Sequence, residues 1–271
     1  MMPSSRLVAR IDFLGTGNAF SPPGRMHALA LLDGSVMVDA PPTALAQLRR
    51  AGVSPAELNH LLITHWHADH TFGFPFILLE RKYISDPGSE RALGVHLRPN
   101  GRELLGHLCR TGFPGSLDDA LESGVDWSES ESGELTGTDW RFERFPVSHT
   151  PETDPHGYEF VHTSGFRLLH CGDSGPCESI EQRASDADAV MLEMGIPDFV
   201  DSPNHHTPSE AIAFAQRHPH ALVLVTHNFA SATGVEAGFR MPELPDSIIQ
   251  LEDGDYLEIG NDGELSLQRN S

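Results

Sequence analysis

Three histidines and one aspartate lie within six consecutive positions of the segment Thr64-His65-Trp66-His67-Ala68-Asp69-His70. Imidazole nitrogens and carboxylate oxygens are common protein ligands of Zn²⁺ and related transition metals. The apolar run Leu61-Leu62-Ile63 directly precedes this segment and is typical of a short buried strand. If the chain turns there, the first two histidines suit one ion, and Asp69 with the last histidine suits a second. The segment predicts a dinuclear metal centre; the alternative is a polar loop in a chain with 16 histidines.

Three more side chains of metal-ligand type follow predicted strands: His149, Asp173 and His227. Residues at the ends of sheet strands can converge, so we expect these three to lie beside the 64–70 segment. Taken alone, each residue has a simpler interpretation: His149 as an ordinary core or surface histidine, and Asp173 as a turn aspartate beside Gly172. His227 ends so apolar a strand that it needs a polar partner.

Strands and helices alternate along the chain and must position these residues. The dipeptides Asp33-Gly34 and Ser164-Gly165 predict two hairpins. Predicted strands cover 7–14, 27–32, 35–39, 61–64, 93–97, 140–147, 160–163, 166–170, 189–192 and 221–226. Predicted helices cover 42–52, 72–83, 102–109 and 206–216. The stretch 117–140 contains eight Asp or Glu residues and no Lys or Arg, which predicts a solvated loop.

The 64–70 segment resembles the THxHxDH signature of the metallo-β-lactamase-fold hydrolases at every fixed position. This resemblance, with the alternating elements, implies an α/β fold of the four-layer αββα sandwich type. Flavodiiron-type members carry Glu in place of the second histidine, so His67 argues against them. True β-lactamases of the fold usually lack the final histidine, so His70 argues against a lactam substrate. Nucleases, phosphodiesterases, thioesterases and lactonases remain.

The resemblance also implies the roles of the ligands. Asp173 would bridge two divalent ions, most simply Zn²⁺, with Mn²⁺ or Fe as alternatives. A bridging hydroxide would then be the nucleophile. Superfamily members carry an aspartate at the position of Asp39 that braces the metal-binding loop, and the alternative is an ordinary strand-end aspartate. One ion would take His65, His67 and His149, and the other Asp69, His70 and His227.

A closer resemblance is to the ribonuclease Z group. It rests on the early turn Gly15-Thr16-Gly17, on Gly172-Asp173-Ser174, and on His206-Thr207 opening a helix before Thr226-His227. By this resemblance, His206 would be the general acid, with the adjacent His205 as the competing candidate, and Asp69 would also act in catalysis. Bacterial and eukaryotic ribonuclease Z enzymes insert a Gly/Pro-rich tRNA-binding arm before the bridging aspartate. Here only the 23 residues 150–172 separate His149 from Asp173, so the arm is absent.

Length, composition and net charge restrict the classes of molecule that the protein is expected to bind. The 271 residues, 39% of them hydrophobic, fit a single domain over 1–271. A net charge of −21, with 18 Lys and Arg and no basic run, disfavours large nucleic acids. No stretch matches a membrane span of ~20 apolar residues, and no signal peptide is recognisable, so we expect a cytoplasmic protein without membrane contact. The three cysteines do not suggest a disulfide framework, and we expect inert thiols at Cys171 and Cys177 rather than metal ligands.

Together these features predict a dinuclear metal-dependent hydrolase, with a phosphodiesterase of small phosphate esters or nucleotides as the leading hypothesis. A thioester or lactone hydrolase and a tRNA 3′-processing nuclease are the enzymatic alternatives. A non-catalytic metal-binding protein is the alternative from another class. A homodimer is possible, although no exposed apolar helix face stands out in the sequence.

Overall fold

The computed structural model describes residues 7–232 and 243–270 and contains fifteen strands there. In chain order they are β1 (Leu7–Gly15), β2 (Leu29–Leu32), β3 (Val36–Val38), β4 (His60–Leu62), β5 (Leu93–His96), β6 (Val125–Ser128), β7 (Ser132–Glu134), β8 (Trp140–Pro146), β9 (His156–His162), β10 (Arg167–His170), β11 (Ala189–Glu193), β12 (Leu222–Thr226), β13 (Ile248–Gln250), β14 (Tyr256–Gly260) and β15 (Leu265–Gln268).

Seven α-helices lie within the same residues. They are α1 (Ala44–Arg50), α2 (Ala68–Thr71), α3 (Phe74–Glu80), α4 (Gly101–Gly112), α5 (Asp118–Ser123), α6 (Glu178–Ala184) and α7 (Pro208–Arg217). A π-helical turn, Arg81–Ser85, follows α3. In the part of the chain described, no helix has the length and apolar character needed to cross a bilayer.

The strands form two sheets that pack face to face. The first sheet has the order β15-β14-β1-β2-β3-β4-β5-β6, and the second has the order β13-β12-β11-β10-β9-β8-β7. Each sheet combines antiparallel hairpins with a parallel part, β3 to β6 in the first and β10 to β13 in the second.

Three apolar clusters hold the four layers together. One fills the space between the sheets and includes Phe13 and Leu32 from the first sheet and Phe160 and Leu168 from the second. Another lies between the first sheet and helices α1, α3, α4 and α5. The third lies between the second sheet and helices α6 and α7. The predicted αββα sandwich is therefore confirmed.

Both predicted hairpins are present. Asp33 and Gly34, the central residues of a turn closed by the Ser35 amide and the Leu32 carbonyl, have φ angles of 46° and 67°, and β2 pairs antiparallel with β3. Because Leu32 pairs with Val36, the connection has three residues, one more than a two-residue turn. Ser164-Gly165 lies between β9 and β10, which pair antiparallel. The chain between His149 and Asp173 consists mainly of this hairpin, in agreement with the missing arm.

One prediction of local structure was wrong, and another needs different bounds. The acidic stretch 117–140 is not a loop: it contains α5, β6 and β7, and the two strands are the outer edges of the two sheets. Its acidic residues lie mostly on exposed faces, whereas Leu121, Val125 and Leu135 are buried. The predicted helix 72–83 is present with shifted bounds: α3 begins at Phe74 with Pro75 in its first turn, and the π-helical turn continues it to Ser85.

The structure also adds features that the sequence did not reveal. Strands β13 to β15 were not predicted, and β14 pairs with β1 in the first sheet. The side chains of Phe72, Phe76, Tyr83 and Ile84 are 47%, 47%, 54% and 71% exposed. An exposed apolar surface is therefore present around α3.

Candidate metal centre

The seven expected ligands meet at one place, where β4, β8, β10 and β12 lead into loops. They form two groups, and within each group the ligand atoms lie within 4.8 Å of one another. Asp173 belongs to both groups. The first group is His65, His67, His149 and Asp173, and the second is Asp69, His70, Asp173 and His227.

The spacing of the imidazole nitrogens in the first group suits an ion with tetrahedral coordination. His67 Nδ1 lies 3.1 Å from His65 Nε2 and 3.1 Å from His149 Nε2. Nitrogens bound tetrahedrally to Zn²⁺ at about 2.0–2.1 Å stand roughly 3.3 Å apart. The three nitrogens therefore fit a single ion.

In the second group, contacts centre on two carboxylate oxygens. Asp173 Oδ2 lies 3.1 Å from His227 Nε2 and 3.4 Å from His70 Nε2. Asp69 Oδ2 lies 3.4 Å and 3.2 Å from the same two nitrogens. Asp173 Oδ2 is also 3.7 Å from His65 Nε2, so this carboxylate touches both groups.

Hydrogen bonds on the far side of the ring orient two of the histidines, His149 and His70. His149 Nδ1 donates to the Asn204 carbonyl oxygen at 2.9 Å, which leaves the Nε2 lone pair facing the centre. His70 Nδ1 lies 2.8 Å from Asp39 Oδ2, and the buried His70 Nε2 has no hydrogen-bond partner among the described residues. Once His70 Nε2 has lost its proton, a bound cation would use the lone pair left there.

Asp39 braces the segment that carries four of the ligands. Its Oδ1 accepts from the Thr64 amide at 2.8 Å, and its Oδ2 accepts from the Thr64 hydroxyl at 2.8 Å. Because the Thr64 hydroxyl donates to Asp39, it can only accept from His65 Nδ1, 3.0 Å away. Asp39 thus holds His70 directly and His65 through Thr64, which is the bracing arrangement rather than a plain strand-end contact.

For Asp173 and three of the histidines, the electrostatics favour the ligand forms that metals require. Burial lowers the pKa values of His65, His67 and His149, which keeps these rings neutral. Burial raises the pKa of Asp173, but the charges of His227 and His70 outweigh this effect and hold it well below its usual range. Burial lowers the pKa of His70, whereas Asp173 and Asp39 raise it, with a net rise. Metal binding at His70 must therefore displace a proton.

The comparisons with known proteins agree with this geometry. A profile described as "Beta-lactamase superfamily domain" matches residues 35–228, which include all seven ligands. The chain belongs to this superfamily. Ribonuclease Z from Pyrobaculum calidifontis is 27% identical over 256 residues, covering 83% of this chain and 87% of that protein.

One further relative and one solved structure extend the comparison. The human zinc phosphodiesterase ELAC protein 2 is 26% identical over 249 residues, and the match covers 80% of this chain but only 29% of the human protein. The crystal structure of a new diphosphatase from the PhnP family superposes with a TM-score of 0.67 at 21% identity, covering 96% of this chain and 100% of that one. The last similarity shows a shared fold.

His206 does not lie among the seven expected metal ligands. It is 2% exposed, its Nδ1 donates to the Ser174 carbonyl oxygen at 2.6 Å, and it is in neither ligand group. Thr207 and Glu210 form a capping box at the start of α7. His206 therefore anchors the start of this helix to the loop that carries Asp173.

The adjacent His205 faces the centre instead. Its ring centroid lies 4.8 Å from that of His149 and 6.0 Å from that of His227. His205 Nδ1 is 2.7 Å from Oε1 of Glu193, a fully buried residue at the end of β11. Burial lowers the pKa of His205, but the hydrogen bond and charge of Glu193, helped by Asp173 and Asp69, raise it to about 9.

Glu193 is a functional residue that the sequence analysis did not include, although its position is a usable signal. Glu193 is an acid at the end of an apolar strand, as Asp39 is, and such a group needs a partner. The cysteines show no ligand role in the described residues. Cys171 and Cys177 lie in neither ligand group, and burial raises the pKa of the Cys171 thiol.

Proposed function

We propose that the chain is a dinuclear metal-dependent hydrolase, and specifically a phosphodiesterase of small phosphate esters or nucleotides. One observation carries the proposal: two ligand groups share Asp173. A carboxylate suits that position because it can reach two ions and reduce their mutual repulsion. Two such ions supply Lewis acidity and lower the pKa of a shared water toward ~7.

The metal is most simply zinc. The donor set combines imidazoles and carboxylates, which suit Zn²⁺ and also Mn²⁺ or Fe. The human relative is named a zinc phosphodiesterase, which supports the same choice.

His205 is the general acid in this proposal, in place of His206. Its raised pKa keeps the ring protonated near neutral pH, and its Nδ1–H is committed to Glu193. Nε2–H is then the proton available to a leaving oxygen. Asp69 contacts His70 and His227 through Oδ2, so its part in catalysis is to hold the second ion.

The substrate is small in this proposal. With a net charge of −21, the protein repels a polyanion at long range. Residues 150–172 form a short hairpin where an RNA-binding arm would be inserted. The names of the ribonuclease Z relatives favour tRNA 3′-end processing as the second candidate.

A substrate panel with the metal-loaded protein tests the proposal. We expect hydrolysis of bis(p-nitrophenyl) phosphate after addition of Zn²⁺ or Mn²⁺ to chelated protein, and little activity on thioesters, lactones or precursor tRNA. Cleavage of precursor tRNA at a higher kcat/KM would favour the second candidate. No activity on any phosphodiester, with both ions bound, would rule out both candidates.

The exposed apolar surface of Phe72, Phe76, Tyr83 and Ile84 supports a homodimer. Light scattering during gel filtration distinguishes a dimer from the 29.6 kDa single chain. Replacing Phe76 by Glu should then shift the protein to the mass of one chain.

A further inference from the structure

A small cavity lies between the two sheets, next to the metal centre. Its volume is about 20 Å³, and its polar lining consists of Asp39, His70, His170, Asp173, Thr226 and His227. The apolar part of the lining comes from both sheets. A cavity of roughly 10–15 Å³ or more can hold one water if the water finds two to four polar partners. The volume meets the first condition; most of the exposed wall is apolar, so any polar partners must come from the six polar residues that border the cavity.

His170 at the end of β10 has a donor that the described residues do not use. Its Nδ1 accepts from the Gly172 amide at 3.2 Å, and no other hydrogen bond joins the ring to the described residues. Burial lowers the pKa of this histidine, so the ring is neutral. A neutral imidazole that accepts at Nδ1 carries its proton on Nε2. His170 therefore contributes a donor to the cavity wall.

Two carboxylates contribute acceptors to the same wall. Asp39 uses its oxygens to hold Thr64 and His70, and an ionised carboxylate has about four acceptor sites, so it can accept further bonds. The contacts of Asp173 with His65, His70 and His227 all use Oδ2. The other oxygen, Oδ1, makes none of these contacts.

We propose that the cavity binds one water, which accepts from His170 Nε2–H and donates to the carboxylates of Asp39 and Asp173. The assignment of His170 as a positioning residue rests on the metal centre of the proposed function. A water that accepts a hydrogen bond from His170 has both of its hydrogens free for the two acceptors. The resulting network joins the bridging carboxylate to the aspartate that braces the 64–70 segment.

The network holds Asp173 in the orientation that serves both ligand groups. Asp39 already fixes His70 and Thr64, so the water extends the same rigid unit to Asp173. Replacing a hydrogen-bonding group behind a metal ligand typically costs 10–100-fold in metal affinity. His170→Phe keeps a planar ring but removes both the Nε2–H donor and the Nδ1 acceptor of the Gly172 amide, so it should cost at least about this factor, and the glutamine variant must show whether a polar group restores it.

The experiment measures zinc affinity by competition with a chromophoric chelator, together with the melting temperature of the metal-free protein. We expect His170→Phe to weaken zinc binding by about 10–100-fold. His170→Gln, whose amide restores a donor, should stay within a few-fold of the original protein. His162→Phe is the matched control, since His162 is a buried histidine on β9 that does not line the cavity.

Three results would overturn the inference: zinc affinity unchanged in His170→Phe, an equal loss in His162→Phe, or no rescue by His170→Gln. A high-resolution crystal structure of the unaltered protein gives an independent test if a variant fails to fold. It must show a water within hydrogen-bond distance of His170 Nε2, and a dry cavity refutes the proposal. Hydrolysis of bis(p-nitrophenyl) phosphate by the unaltered protein tests the proposed function separately.

Discussion

Glu193→Gln should convert His205 from an acid that works at alkaline pH to one that does not. Glu193 is fully buried, and its Oε1 lies 2.7 Å from His205 Nδ1. The carboxylate is the principal group that raises the pKa of His205 to about 9. Glutamine can still accept the hydrogen bond, but it carries no charge, so the pKa should fall to about 6.5, since Asp173 and Asp69 still oppose the lowering by burial.

The size of the effect follows from these two pKa values. At pH 8 the protonated fraction of His205 should fall from about 0.9 to about 0.03, a loss of roughly 30-fold. At pH 5.5 both forms are largely protonated, so the two proteins should be nearly equal. The ratio of the kcat of the original protein to the kcat of Glu193→Gln should therefore rise about 30-fold from pH 5.5 to pH 8.

The assay needs a leaving group that requires an acid. Adenylyl-(3′→5′)-adenosine has an alkoxide leaving group, whereas bis(p-nitrophenyl) phosphate releases a stable nitrophenolate. The loss should therefore be large on the dinucleotide and small on the nitrophenyl ester. A ratio that does not change with pH, or an equal loss on both substrates, would refute the role assigned to His205.

Two controls separate catalysis from folding. Glu193 Oε2 also accepts from the Gly195 amide, so the glutamine amide group can leave a buried donor unpaired at a cost of about 1–3 kcal/mol. Melting temperature and metal content must be measured for each variant. Glu181→Gln is the matched control because Glu181 Oε2 pairs with His218 Nε2 at 2.8 Å, outside both ligand groups.

Three further predictions follow from the site. Asp173→Ala should lose both ions, which metal analysis of the purified variant would show; retention of two ions per chain would argue against the bridge. His205→Asn should lower kcat on the dinucleotide by about 100-fold or more, with both ions retained. His206→Asn should mainly lower the melting temperature. The reverse pattern would assign the role of general acid to His206. Zinc binding at pH 7 should release a proton from His70, whose pKa is raised, and titration in weak buffer with a pH indicator would detect it; no release would mean that His70 is already neutral.

The sequence predicted those features of the fold and site that depend on local pattern. Apolar strands ending in His149, Asp173 and His227 were recognisable, and these residues do meet the 64–70 segment in the structure. The Asp33-Gly34 hairpin was equally clear because its turn needs two positive φ values.

Other features depend on contacts that local pattern does not encode. His205 and His206 are adjacent, and only the packing of α7 decides that one faces the centre and the other faces the Ser174 carbonyl. Residues 117–140 looked like a loop because they contain eight acidic residues and no Lys or Arg, yet they include the edge strands β6 and β7 of the two sheets. The His170 cavity exists only once β3, β10 and β12 are brought together.

Anomalous scattering from crystals of the zinc-loaded protein tests the dinuclear centre bridged by Asp173 most directly. We expect two peaks about 3.5–4 Å apart. One peak should be bound by His65, His67 and His149 and the other by Asp69, His70 and His227, with Asp173 contacting both. A single peak, or none, at saturating zinc would contradict it.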